Sequence, residues 1–149
     1  MNTQQSLYEQ DYYAWTMDTV EKLKHGHFEQ IDVDHLMEEV ESMGISERSA
    51  LESRMVVLIM HLLKWQIQQS NRCNSWKATI EQQRLRIKKL LKKMPSLKNI
   101  LTEIFNDEDN YKDAVLSASK ETGLSKSTFP NELPYTLEQL LDEDFYPMS

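Results

Sequence analysis

Glycine and proline are scarce in this chain of 149 residues, with three of the first and four of the second. That leaves little material for the many tight turns of a β fold and favours helices. The single cysteine, Cys73, excludes an internal disulfide framework. The opening residues, MNTQQSLYEQD, have neither the basic start nor the apolar run of a secretory signal, so the cytoplasm is the expected compartment. No stretch approaches the roughly 18 consecutive apolar residues of a membrane span, because Arg54, His61 and Lys64 interrupt the richest one. Glycine-rich phosphate loops of the G-x-x-x-x-G-K-[ST] and G-x-G-x-x-G types are missing, which removes those routes to nucleotide binding. A chain of this length is expected to form one domain, with residues 1–5 disordered.

Charge is present in quantity but unevenly placed. The net charge is −7, yet residues 1–63 carry −8, residues 72–98 carry +8 and residues 99–149 carry −8. A basic block between two acidic ones reads first as a solvated helix face that helps set which helices lie side by side.

Apolar spacing predicts an all-α, single-domain helical bundle of about five main helices and a short C-terminal one. The first is expected from Ser6 or Leu7 to Lys24, stopped by Gly26. A second, short and acidic, starts near Asp32 or Asp34 and ends at Gly44. Ser46 is the expected N-cap of a third, central helix over about 46–69. Its two apolar stripes are Leu51, Met55, Leu58, Leu62 and Trp65, and Val56, Met60, Leu63 and Ile67. Asn74 or Ser75 begins a fourth that ends before Pro95, with Trp76, Ile80, Ile87, Leu91 and Met94 inward. A fifth runs from Leu97 to Gly123, with a bend or break at the DEDN run of Asp107 to Asn110. Thr136 and Gln139 form a capping box for the last. The apolar residues of 124–149 predict that this segment packs back on the bundle.

One polar cluster stands out. Arg54, His61 and Lys64 share a strip of the otherwise apolar central helix, where cations need partners. His35 and Glu39 share a side of the second helix. A turn at Gly44 would fold those two helices antiparallel and bring the acidic edge to the cations, with Arg84 joining from the fourth helix. The cluster then reads either as an ionic network that sets helix register or as a pocket for an anion or acid–base work. His35, Glu39, Arg54, His61, Lys64 and Arg84 are the candidate binding residues.

Other chemistry is weaker. A di-iron site of the helical-bundle kind needs repeated Glu-x-x-His pairs, whereas this chain has His35-x-x-Glu38 once, and Glu52 lies opposite His61, so neither metal nor cofactor is expected. His25 and His27 read as surface residues, and Cys73, beside Arg72, has no His near it in sequence. The basic helix 75–94 is a possible nucleic-acid surface, but acidic blocks on both sides weaken its field and Trp76 falls on the inner stripe. A protein partner fits the residues, as does a non-catalytic structural or interaction role. No catalytic motif is present, and the oligomeric state is open.

Five blocks in order, LYEQDYYAWT, VDHLMEEVESMGISERSALESR, LIMHLLKWQ, SWKATIEQQRLRI with MPSL, and ETGL…FP…PYTLEQLLDEDFYP, give the chain a resemblance to the bacterial family called domain of unknown function twenty-nine. The likeness spans about Leu7 to Pro147. It implies a compact all-α domain, commonly of cyanobacteria and proteobacteria, with no activity, cofactor, partner or site residue to carry over. Leu133 stands before Pro134, where many relatives are expected to have Cys, which argues against an essential thiol there.

Overall fold

A computed structural model describes residues 5–148, so the expectation of disorder at residues 1–4 lies outside the described residues. Seven α-helices follow one another with three short 3₁₀ turns between them, and there is no strand among the described residues. They are α1 (Leu7–Gln10), α2 (Tyr12–Lys24), α3 (Val33–Ile67), α4 (Asn74–Lys93), α5 (Leu97–Asn106), α6 (Glu108–Thr122) and α7 (Leu137–Leu141). The fold is all-α, with five main helices and a short last one. Their membership differs from the periodicity in three places.

The first helix is two. Asp11 takes an extended backbone (φ −153°) and its carboxylate accepts from the Ala14 N–H, so it ends α1 and caps α2. The expected second and third helices are one, because α3 passes through Gly44 and Ser46 without a turn. Gly44 does not adopt positive φ. A helical glycine costs only about 1 kcal/mol relative to alanine, and the ISERSAL run beyond it is free of proline, so propagation wins over termination. The fifth helix is two, broken at the DEDN run: Asp107 caps α6 by accepting from the Asp109 N–H, and the buried Asn110 side chain donates to the Ile104 carbonyl at the end of α5. Gly123, at φ +75°, stops α6 as expected. The Thr136–Gln139 capping box is formed in both directions.

Two compact units make up the chain, Met1–Ser46 and Glu47–Ser149. In the first, α1 and α2 associate with the N-terminal part of α3 mainly through aromatic rings. Tyr8 meets Trp15 edge to face at 4.9 Å and stacks on His35 at 4.2 Å. Only Trp15 and Thr19 are buried there among the described residues.

The second unit has the core. Leu51, Met55, Leu58, Leu62 and Leu63 of α3 are 0% exposed, as are Ile80 and Ile87 of α4. Leu101 and Ile104 of α5, and Tyr111, Ala114 and Ala118 of α6, are buried with them. Beyond Gly123 the chain contributes Phe129, Tyr135 and Leu140 to the same cluster. Hydrogen bonds fasten this segment: Tyr111 donates to the Pro130 carbonyl and Tyr135 to Gln66, both at 2.6 Å.

The glycines give opposite expected outcomes. Gly44→Ala should stabilise α3 by about 0.5–1 kcal/mol, since nothing lies within 4 Å of the added Cβ. Gly123→Ala should destabilise by about 1 kcal/mol, because its positive φ penalises any Cβ. Denaturant unfolding followed by circular dichroism checks both signs.

Candidate functional site

The six residues picked from the sequence fall on both units, His35 and Glu39 in the first and Arg54, His61, Lys64 and Arg84 in the second. Their convergence needed a reversal at Gly44, and the continuous α3 has none. Each group instead finds partners of its own.

Glu39 sits beneath two tyrosines, accepting from the Tyr8 and Tyr12 hydroxyls at 2.5 Å each. The Tyr12 and Tyr8 hydrogen bonds hold its carboxyl below the ordinary carboxylate range, while the bond to Glu39 pushes Tyr8 up to about 12. His35 Nδ1 bonds the Asp32 carboxylate at 2.5 Å, and the same residue's N–H is capped by Asp32. That hydrogen bond raises His35 and lowers Asp32. Glu39 and His35 are thus used in tying α1 and α2 to α3.

On the later part of α3, Lys64 is buried, 2.6 Å from Glu121 of α6, and its ammonium lies 4.6 Å from the Trp76 ring centre. Trp76 is only half-buried, carrying a cation on its face rather than filling the core expected of it. His61 donates through Nδ1 to the Val57 carbonyl at 2.9 Å, one turn back on its own helix. Burial holds its imidazole below the ordinary value, with Lys64 pushing the same way. Arg54 Nη1 reaches Gln83 at 3.4 Å, and its buried Nε has no partner.

Arg84 is 1% exposed and has no carboxylate within ion-pair distance among the described residues. Its guanidinium instead donates to the Leu140 carbonyl at 2.8 Å and the Gln139 carbonyl at 3.2 Å. Both carbonyls lie at the C-terminal end of α7, where partial negative charge collects, and that of Gln139 also accepts from the Asp142 N–H. The other cations of α4 are exposed, Lys88 pairing with Glu143 at 3.3 Å.

A different set of residues surrounds an open cavity of about 520 Å³ in the second unit, lined by Trp65, Gln69, Arg72, Lys77 and the 146–148 segment. Arg72 Nε donates to the Trp65 carbonyl at 2.7 Å, and its guanidinium lies 4.9 Å from the Trp65 ring centre. Tyr146 packs on Trp65 at 5.0 Å and has the Arg84 guanidinium 5.5 Å from its own ring. Sequence reading took Trp65 and Tyr146 as core and Arg72 only as a neighbour of Cys73. The available signal was that LIMHLLKWQ, SWKATIEQQRLRI and the C-terminal block each place a residue here.

Among the described residues, no three His, Cys, Asp or Glu side chains converge as metal ligands, and no helix is long and apolar enough to cross a membrane. These elements define an all-α chain whose polar side chains are largely engaged in holding helices. The chain belongs to the family described as Domain of unknown function DUF29, whose model matches residues 7–146. No curated protein and no solved structure matches it.

Two outcomes follow from these contacts. Above the ordinary value of 6.5, His61 is neutral in both the folded and the unfolded chain. As pH falls below it, the unfolded chain takes up a proton that the folded chain resists, and stability drops. His61→Leu should flatten this part of the stability profile, measured by denaturant unfolding from pH 7 to 5. His35 has the opposite sign but is common to both proteins, so the difference isolates His61. Arg84→Met should cost about 1–3 kcal/mol by leaving the Leu140 carbonyl without its partner, and hydrogen exchange should show faster exchange over Leu137–Leu141.

Proposed function

We propose that this protein is a non-catalytic protein-interaction domain, and that the first unit presents its docking surface to a cationic amphipathic helix of another protein. One observation carries the reading. Val33, Met37, Val40 and Met43 recur at three- and four-residue spacing on α3 and are 55%, 53%, 55% and 60% exposed. Val33, Met37 and Val40, with Leu36 and Glu41, border a shallow, mainly apolar groove of about 330 Å³. Of the fourteen large apolar side chains left exposed among the described residues, twelve lie before residue 47, among them Met17, Val20 and Leu23 of α2. Apolar surface concentrated in this way is the mark of a contact site.

Charge selects the occupant. Residues 1–46 carry ten acids against Lys22 and Lys24 alone, and Asp34, Glu38, Glu39 and Glu41 accompany the α3 stripe with no Lys or Arg between Val33 and Met43. A second copy of the same stripe would set acid against acid, whereas a helix of leucine-like and basic residues matches both surfaces. A cytoplasmic setting fits the exposed, unpaired Cys73.

Two synthetic helical peptides test this, one of Leu and Lys and one of Leu and Glu, titrated by fluorescence anisotropy. The Leu/Lys peptide should bind and the Leu/Glu peptide should not. Met37→Ser with Val40→Ser should weaken binding about tenfold or more, while Leu85→Ser on α4 should leave it unchanged. Equal binding of both peptides, or indifference to the double substitution, would overturn the reading. A stable dimer by light scattering that the double variant dissociates would assign the stripe to a second copy instead.

A further inference from the structure

The geometry points to an anion site in the cavity between Trp65, Arg72, Lys77 and Tyr146, suited to the phosphate group of a small molecule. The inference is independent of the docking stripe, since every residue it uses lies in the second unit. Its wall carries two cations and no carboxylate, and neither Arg72 nor Lys77 forms an ion pair among the described residues. A positive concavity without its own counter-ion is where an anion gains most.

The arginine is held in place before any ligand arrives. Its Nε is fixed to the Trp65 carbonyl at 2.7 Å and its plane is seated against the Trp65 ring, so little side-chain freedom remains to be lost on binding. The Nη2 of that guanidinium and the hydroxyl of Tyr146 are both buried without a hydrogen-bond partner. Unsatisfied buried donors are rare in folded proteins and call for a missing partner. Arg72 and Lys77 offer N–H donors from two separate cationic side chains. Two cations suit the charge and several oxygens of a phosphate better than the single charge of a carboxylate. The cavity has room beyond the anion, along Pro147 and Met148, for an apolar remainder. Glu81 acts on the Tyr146 hydroxyl, and Asp142 and Glu143 act on Arg84, but none of the three lines the cavity.

Inorganic pyrophosphate is the probe, titrated at constant ionic strength into the full chain while the Trp65 indole N–H is followed by NMR. A saturable shift is expected. Arg72→Gln and Lys77→Gln should each weaken it about tenfold or more, and Lys92→Gln, on the exposed part of the same helix, should not change it. Should Arg72→Gln fail to fold, Lys77→Gln carries the test, since its side chain is exposed. Absence of saturation, or equal weakening by Lys92→Gln, would overturn the site as diffuse charge attraction. Equally tight binding of succinate would overturn the assignment to phosphate.

Discussion

Everything in the second unit depends on the closure of water from the later part of α3. Leu51, Met55, Leu58, Leu62 and Leu63 are fully buried, which no single neighbouring helix can achieve for a helix that is apolar on several sides. The α4, α5 and α6 helices therefore have to cover it from different directions, and the chain beyond Gly123 closes what they leave. Phe129, Tyr135 and Leu140 belong to the same buried cluster, so a segment with only a five-residue helix of its own is ordered by the apolar surface it completes.

Covering such a helix forces decisions about its cations. Lys64 meets Glu121 and the face of Trp76. Arg84 finds partners without any carboxylate, in the carbonyls that end α7 and the ring of Tyr146, while its buried Nη1 has none. Backbone dipoles here do the work of a counter-ion, and they do it at the position that anchors the last helix. The Arg72 guanidinium follows the same pattern with the Trp65 carbonyl and ring, but with one donor left over beside an open cavity. What sets Arg72 apart from Arg84 is the open cavity that it lines.

The first unit is built on a different balance. Tyr8, Tyr12, Trp15 and His35 hold its helices through ring contacts and hydroxyl-to-carboxylate bonds, while aliphatic side chains on α2 and α3 remain in contact with solvent. Aromatic rings with polar tips can join two helices without enclosing a core. The apolar residues that would otherwise form one are thereby left for another chain to cover.

Composition and spacing alone determined the helical class, the apolar core positions of the later part of α3, Ile80 and Ile87 of α4, the stop at Gly123 and the capping box at Thr136, because each depends on contacts within a few residues along the chain. Gly44 shows the limit. A glycine is compatible both with a helix end and with helix interior, and the choice is a difference of about 1 kcal/mol that the surrounding helix formers decide. With that choice went the proposed meeting of Glu39 and His35 with Arg54, His61 and Lys64. Asp11 shows the reverse, a side chain able to cap and so to divide what apolar spacing had joined. The partners of Arg84, the tyrosines over Glu39 and the Trp65–Arg72–Tyr146 cavity were decided only by tertiary structure. Apart from Trp65 and Arg72, seven positions apart, they join residues 27 to 81 positions apart, and whether two such groups meet is set by how whole helices pack, which no local spacing encodes.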